Sequence, residues 1–191
     1  MSRIGQQNDP TEGLMPGMLL LAHPSLRDPH FARAVILLTA YDPDQGAMGV
    51  VFNQPMQQPL GSILHPLAES TLGEVPLYRG GPVDPEQLVL SAWRWDLDRR
   101  AHFQLYFGIT AERAQTLSSG HKPFHLRAFL GYAGWGEGQL EAEVEEGSWV
   151  CLPIQPGLET ADGDQLWKSL VCTSDPRYRI LCDEPEDPSL N

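Results

Sequence analysis

Residues 34–53 read AVILLTAYDPDQGAMGVVFN, and this stretch decides the fold class of the chain. An apolar run containing the β-branched Val35 and Ile36 precedes the turn cluster DPDQG, and a second apolar run follows it. Apolar runs of strand length that flank such turn-forming residues are typical of a β-hairpin. The sequence therefore predicts two antiparallel strands, Ala34–Ala40 and Ala47–Asn53, joined by that turn.

Further strands and helices are predicted on both sides of the hairpin. Short apolar runs between Gly and Pro residues predict strands at Met18–Ala22, Leu77–Arg79, Gln87–Trp93, Phe103–Phe107, Phe124–Leu130 and Trp149–Leu152. Helical spacing of apolar residues predicts helices at Pro59–Ser70, in the segment after an N-cap at Thr110, at Gln139–Glu145 and at Asp164–Val171. Because strand pairs alternate with single helices and no regular βαβ repeat occurs, we expect an α+β fold with a largely antiparallel or mixed sheet.

The length of 191 residues suits a single compact domain. We place that domain at residues 17–172. The stretches on either side, 1–16 and 173–191, are polar and rich in Pro and acidic residues, a composition that disfavours a packed core. They are therefore predicted to be a mobile N-terminal tail and an acidic C-terminal tail.

The charge and the cysteines restrict the class of partner and the compartment. The net charge of −12, from 25 acidic and 13 basic residues, opposes the approach of a polyanion, so direct nucleic-acid binding is disfavoured. The apolar runs are far shorter than the roughly 20 residues of a membrane-spanning helix, and no secretory signal precedes them. Three cysteines without a paired spacing predict free thiols. A cytoplasmic protein without membrane association is expected.

The sequence offers no recognisable metal site, cofactor motif or catalytic constellation. His121 and His125 are separated by Pro123, which prevents a regular helical turn from presenting both rings together. No G-x-S-x-G elbow marks a nucleophilic serine, and Cys151 lies in the apolar run WVCLP, where a small buried hydrophobe is expected. We predict no metal and no cofactor.

Two glycine-rich segments have both a structural and a functional interpretation. Residues 131–141, GYAGWGEGQLE, are predicted to connect a strand to a helix, where backbone N–H groups could bind an anion. The spacing matches no known phosphate-binding motif, and nearby glutamates repel anions, so tight packing beneath Trp135 is the structural alternative. The second segment, GGPVDP at residues 80–85, predicts a sharp bend or the lining of a pocket.

Four motifs in a fixed order carry a resemblance to a known family. They are GMLLLAHPSLRDPHFARAVILL (17–38), GAMGVVFNQP (46–55), GGPV (80–83) and FLGYAGWGEGQLEAEVEEGSW (129–149). Together they resemble the AlgH/YqgE family of bacterial proteins, over residues 17 to about 170. The resemblance implies an α+β fold in which a bent, bifurcated sheet forms a pseudo-barrel with helices packed outside. It also implies a function that is largely unassigned, with members described as proposed transcriptional regulators.

The chain departs from the family pattern at two positions. The family has an N-R-P motif where this chain has Asn53-Gln54-Pro55, and glutamine cannot replace the fixed fork of donors that an arginine offers an anion. The family often has a histidine where this chain has Ser91, which weakens any role for a general base there.

These observations leave three hypotheses for function. The leading hypothesis is a non-enzymatic binding or regulatory protein that acts through a protein partner or a small ligand. Its predicted binding patch combines polar, aromatic and small residues: Asn53, Gly80, Gly81, Tyr132, Gly134, Trp135 and Gln139. The alternative is a hydrolase or transferase that holds a small phosphorylated or acyl substrate on the backbone of 134–138. The third, a DNA-associated regulator, conflicts with the charge.

Overall fold

The structure, a computed structural model, describes residues 13–96, 102–159, 161–175 and 177–178. Within them the strands are β1 Met18–Ala22, β2 Val35–Asp42, β3 Gly46–Val51, β4 Pro55–Pro59, β5 Pro76–Arg79, β6 Val83–Asp96, β7 His102–Phe107, β8 His125–Trp135 and β9 Trp149–Pro153. The helices are α1 Ala111–Ser118, α2 Gln139–Glu145 and α3 Gly163–Ser174. Two single turns of 3₁₀ helix span Leu60–Ser62 and His65–Leu67.

The predicted hairpin is confirmed as β2 and β3. The two strands pair antiparallel, with Ile36 opposite Val51 and Asp42 opposite Gly46. Gly46 has φ +101°, and a Cβ atom there would lie 2.1 Å from the carbonyl oxygen of Trp135. The turn residue must therefore be glycine, because the backbone conformation and the close approach of β8 both exclude a side chain.

The sheet branches at β8. Going outward from β8, one branch runs through β3, β2 and β1 to β9, and another runs through β5 to β4. β3 pairs with residues 133–135 of β8 and β5 with residues 128–130, while β6 pairs along the other edge and carries β7. Among the described strands only β5 and β8 pair in parallel.

The fold class is confirmed as α+β with a mixed, mostly antiparallel sheet. The sheet divides at β8 as the family resemblance implies, but it does not close into a barrel, so the expected pseudo-barrel is open.

The continuous apolar run of β1 is explained by burial on both faces of the sheet. Leu19 and Leu21 pack in a cluster with α3, whereas Leu20 and Ala22 pack on the opposite face with α2. Side chains alternate between the two faces of a strand, so a strand covered on both faces has no polar positions. The indole N–H of Trp167 donates to the carbonyl oxygen of Ala22 at 2.8 Å and holds α3 against β1. A third cluster lies beneath α1 and the 3₁₀ turns.

The predicted helix over Pro59–Ser70 is wrong. Pro66 lies within the second 3₁₀ turn and cannot donate the backbone hydrogen bond that a continuous helix requires. Gly61 donates its N–H to the carbonyl of Gly73 at 2.9 Å, so the chain folds back on itself here. The strand β4 that precedes this segment was not predicted. The remaining predicted helices are present, and Thr110 caps α1 by accepting the N–H of Arg113.

Parts of the two predicted tails lie within the described residues. Leu14 is buried in the cluster that contains α2, and Tyr178 packs against the cluster that contains α3. The rest of the tails, residues 1–12, 176 and 179–191, lie outside the described residues. No helix in the described part of the chain is both long enough and apolar enough to span a bilayer.

Candidate functional site

A polar cleft of about 500 Å³ lies where the start of α3 meets β4 and β5. Its walls carry amide, guanidinium and carboxylate groups from segments far apart in the chain, together with small and apolar residues. The lining residues are Ala32, Arg33, Asn53, Gln54, Pro55, Met56, Gln57, Arg79, Gly163 and Asp164. We call this site the arginine cleft.

Asn53 holds the walls of the arginine cleft together. Its side-chain oxygen accepts the backbone N–H of Val35 at 2.8 Å. Its side-chain nitrogen donates to the carbonyl oxygens of Arg33 and Gly163 at 3.0 and 2.9 Å. With 2% of its surface exposed and both donor hydrogens engaged, Asn53 ties β2 to α3 and has no donor left for a ligand.

Strand alternation directs Arg79 to the cleft. Tyr78, the preceding residue on β5, is buried in the core, so the next side chain points to the opposite face. Arg79 is exposed, and its backbone N–H donates to the carbonyl of Gln54 at 2.9 Å. This bond holds the backbone of β5 beside Gln54, and both residues line the cleft.

The formal charge of the lining residues is positive. Arg33 pairs with Asp164 at 2.5 Å. Arg79 has no acidic partner among the described residues, and Asp164 is the only carboxylate in the lining. Two arginines and one aspartate make the lining +1, in a protein of net charge −12.

Strained backbone occurs in two of the residues that line the cleft. Arg33 has φ +56° and Gln57 has φ +54°. Residues with a side chain rarely adopt this left-handed region, and such strain is found preferentially at functional sites. Among the described residues the only other non-glycine case is Asp84, outside this cleft.

An ionic cluster around the buried Arg127 supports the start of α3. The Arg127 guanidinium is enclosed by the rings of Phe52, Tyr78 and Trp93, at 4.0, 4.3 and 5.2 Å from their centroids. It donates to the carbonyl of Phe52 at 2.7 Å and lies 3.2 Å from a carboxylate oxygen of Asp162, the N-cap residue of α3. The Tyr78 hydroxyl donates to the other oxygen of Asp162 at 2.8 Å.

Burial shifts the pKa values of Arg127 and Tyr78 in this cluster. Desolvation lowers the pKa of Arg127, and the negative charge of Asp162 acts in the opposite direction. Burial also raises the pKa of the Tyr78 hydroxyl, and Arg127 opposes that change. Arginine retains its charge in proteins, so a neutral tyrosine, an arginine cation and the aspartate carboxylate hold the start of α3 in place.

Gly80 and Gly81 lie outside the arginine cleft, where the two glycine-rich segments pack backbone against backbone. A Cβ atom on Gly80 would lie 2.1 Å from the carbonyl oxygen of Gly131, and one on Gly81 would lie 2.2 Å from the carbonyl of Tyr132. Both glycines are buried. The Tyr132 hydroxyl donates to Asp84 at 3.3 Å. Glycine is therefore required in these segments because the backbones of β5, β6 and β8 meet too closely to leave room for a side chain.

The remaining predicted site residues, Gly134, Trp135 and Gln139, line a different cleft. Trp135 pairs with Ala47 at the start of β3, whereas Asn53 follows its end, so the two lie at opposite ends of one strand. The structure therefore does not bring the predicted residues together in one continuous patch. The residues fall into three places because β3 and β8 separate them.

The glycine-rich stretch also differs from the prediction of a loop between a strand and a helix. β8 continues to Trp135, so Gly131 and Gly134 are strand residues, and only 136–138 connect β8 to α2. The N–H of Gly136, one donor that the enzyme alternative requires, is engaged by the side-chain oxygen of Gln139 at 3.1 Å.

Sequence reasoning missed the charged residues of the site. Arg79 immediately precedes the GGPV motif, and Arg127 interrupts the otherwise apolar run LRAFL. A charge within a buried strand is rare unless it is paired, so Arg127 was a detectable signal. The pairing of Arg33 with Asp164, 131 residues apart, had no local signal.

The described residues contain no group of three or more histidine, cysteine or acidic side chains arranged to hold a metal ion. Cys151 and Cys172 have free thiols, and burial raises the pKa of Cys151 to about 11. Cys182 lies outside the described residues.

Comparison with known proteins identifies relatives over nearly the whole chain. A family model described as AlgH-like matches residues 19–179. A UPF0301 protein of Chlorobium luteolum is 34% identical over 184 residues, covering 93% of this chain and 95% of that relative. A UPF0301 protein of Streptomyces coelicolor is 34% identical over 187 residues, with the same coverage.

Two solved structures share the fold. A crystal structure of a Corynebacterium diphtheriae protein has a TM-score of 0.68 and 25% identity, covering 96% of this chain and 95% of that chain. The solution structure of the AlgH protein of Pseudomonas aeruginosa has a TM-score of 0.62 and 24% identity, covering 98% of this chain and 100% of that chain. The second likeness supports the fold alone.

Proposed function

The chain belongs to the AlgH-like family, as its motifs predicted, and on the geometry of the arginine cleft we propose that it is a non-enzymatic protein that binds a small anionic ligand. The ligand class is a metabolite with a phosphate or carboxylate group. This proposal narrows the hypothesis of a protein that acts through a partner or a small ligand.

One observation carries the proposal: Arg79 lies in a cleft where Asp164, the only carboxylate among the described lining residues, is already paired with Arg33. A guanidinium offers a planar fork of donors that matches carboxylate and phosphate oxygens. The amides of Gln54 and Gln57 lie on the same walls and add neutral donors. A local positive site within an acidic protein favours a small anion over a polyanion, because the remaining surface repels an extended negative partner.

Binding is favoured over catalysis by the composition of the cleft. Among the described residues its lining contains no histidine, cysteine, serine, tyrosine or lysine, so these residues provide neither a nucleophile with an adjacent base nor a pair of acid and base groups. Asp164, the one titratable acid, is held by Arg33.

A regulatory role is compatible with this proposal, because ligand binding can control the interaction with a protein partner. A protein that captures a metabolite could transmit its level to a protein partner, and the net charge of −12 argues that any effect on transcription proceeds without direct DNA contact. The protein partner and the cytoplasmic location stay predictions.

Thermal unfolding with inorganic pyrophosphate and with citrate tests the proposal. A ligand at 100 times its Kd stabilises the native state by about 2.7 kcal/mol, which raises the melting temperature by several degrees. We expect Arg79→Gln to weaken binding at least about tenfold, since a hydrogen bond to a charged group contributes roughly 1.5–3 kcal/mol. Gln54→Arg should tighten binding, because it adds a second guanidinium fork to the same wall.

Arg113→Gln is the matched control. Arg113 is exposed on α1 and does not line the cleft. Its replacement by glutamine changes the net charge by the same amount as Arg79→Gln. Equal weakening by both glutamine variants would show unspecific charge attraction, and no saturable effect of either anion on the wild type would refute anion binding.

A further inference from the structure

Two tryptophans share one carboxylate oxygen at the cleft that contains Trp135. The indole N–H groups of Trp135, at the end of β8, and Trp149, at the start of β9, both donate to Oε2 of Glu143, at 2.9 and 2.7 Å. The other oxygen of Glu143 accepts the side-chain amide of Gln139 at 2.8 Å. One carboxylate on α2 therefore receives three hydrogen bonds, all from neutral donors.

The charge of this cleft is unbalanced. The described residues that line it include two carboxylates, Glu143 and Asp28, and no lysine, arginine or histidine. Asp28 accepts the backbone N–H groups of His30 and Phe31 at 2.8 and 3.1 Å, again from neutral donors. In the described part of the chain neither carboxylate has a cationic partner. Neutral donors hold the two carboxylates in position and leave the charge of −2 without a counterion.

Three aromatic residues, Phe31, Trp135 and Trp149, also line this cleft. The rings of Phe31 and Trp149 pack edge to face with their centroids 5.7 Å apart, and those of Trp149 and Trp135 pack in the same way at 6.0 Å. The cleft has a volume of about 340 Å³. Aromatic walls attract an organic cation through the ring quadrupole, and a fixed carboxylate adds a direct charge interaction.

We propose that this cleft binds a small organic ammonium ion, a protonated or methylated amine. An aromatic wall combined with a carboxylate that lacks a counterion is the chemistry that distinguishes such a cation from a metal ion or a neutral solute. The site is separate from the arginine cleft and shares no lining residue with it, so it extends the proposed function to a second ligand of opposite charge.

Nuclear magnetic resonance titration with choline and with tetramethylammonium tests the proposal. The probe signals are the indole N–H resonances of Trp135 and Trp149, identified by replacing each tryptophan with phenylalanine. We expect these two signals to shift along a saturable curve, while sodium chloride at the same ionic strength leaves them unchanged.

Glu143→Gln separates charge from geometry. Its amide oxygen can still accept both indole hydrogens while the negative charge is lost, although its amide nitrogen can no longer accept the hydrogen bond from Gln139. We expect choline to bind at least tenfold more weakly to this variant. Glu145→Gln is the matched control, because it removes the same charge from an exposed position of α2 outside the cleft, and it should bind like the wild type.

Asp28→Asn is a second charge variant that keeps the side-chain oxygen accepting the two backbone N–H groups. It should also weaken choline binding and serves if Glu143→Gln fails to fold. Absence of a saturable shift in the wild type would overturn the proposal. So would unchanged affinity in every folded variant that has lost a cleft carboxylate, since the carboxylates would then only hold the structure together.

Discussion

Replacing Asn53 with alanine should destabilise the protein more than almost any other single polar substitution. The wild-type side chain satisfies three backbone groups: the N–H of Val35 and the carbonyls of Arg33 and Gly163. Alanine can supply neither the acceptor nor the two donors. Val35 has no exposed surface, so solvent cannot readily take the place of the lost acceptor.

The cost follows from the number of unpaired groups. Leaving a buried donor or acceptor unsatisfied costs about 1–3 kcal/mol. Three groups in the lower half of that range give about 3–6 kcal/mol. In a protein of this length each kcal/mol lowers the melting temperature by about 2–4 °C, so we expect a decrease of about 6–24 °C.

Urea unfolding of the wild type, Asn53→Ala and Gln54→Ala measures this cost. Gln54 is the matched neighbour, since its side chain makes one hydrogen bond of 3.2 Å to the carbonyl of His30, and its loss should cost less than about 1 kcal/mol. Asn53→Asp should be as harmful as alanine, because a carboxylate would face two carbonyl oxygens. An Asn53→Ala protein within about 1 kcal/mol of the wild type would refute the proposed role of Asn53.

Three further predictions follow from the geometry. Gly80→Ala should destabilise strongly, because the new Cβ would lie 2.1 Å from a backbone oxygen, whereas at Gly134 the nearest atom to a Cβ is 3.5 Å away and alanine should be tolerated in the same melting assay. Cys151, whose pKa burial raises to about 11, should react with iodoacetamide at pH 8 far more slowly than glutathione in a variant whose other cysteines are serine; an equal rate would contradict its burial. The hydrogen bond to Glu141 and, to a smaller extent, burial raise the pKa of Tyr41 to about 12. The stability that this hydrogen bond contributes is therefore complete below pH 10 and is lost as the pH rises toward 12. An absorbance titration of Tyr41→Phe should therefore lack a transition near pH 12, and loss of one near pH 10 would disprove this shift.

Local patterns predicted most of the elements. The β2–β3 hairpin, the Thr110 cap and the helix at Gln139–Glu145 each depend on residues a few positions apart, and each is present. The predicted helix over Pro59–Ser70 is absent although its apolar residues have helical spacing, because Pro66 lacks the N–H that a continuous helix requires.

The candidate site was less predictable. The polar side chain of Asn53 predicts a binding role, yet in the structure it joins three backbone segments. The sequence predicts Trp135 and Gln139 in one patch with Asn53, although β3 separates them. No short-range pattern distinguishes Arg33 or Arg79 from an ordinary surface cation, so the sequence does not predict the arginines of the cleft.

The sequence by itself determined the α+β class, the central hairpin, the family and the need for glycine in two segments, because these follow from short-range periodicity, turn chemistry and ordered motifs. Only the tertiary structure decided that the two glycine segments contact each other and that the sheet branches at β8 without closing. It also decided which charges meet: Arg33 pairs with Asp164 across 131 residues, and Arg127 meets Asp162 beneath the same helix. Such pairings depend on how strands cross in space, and the spacing of residues along the chain does not encode them.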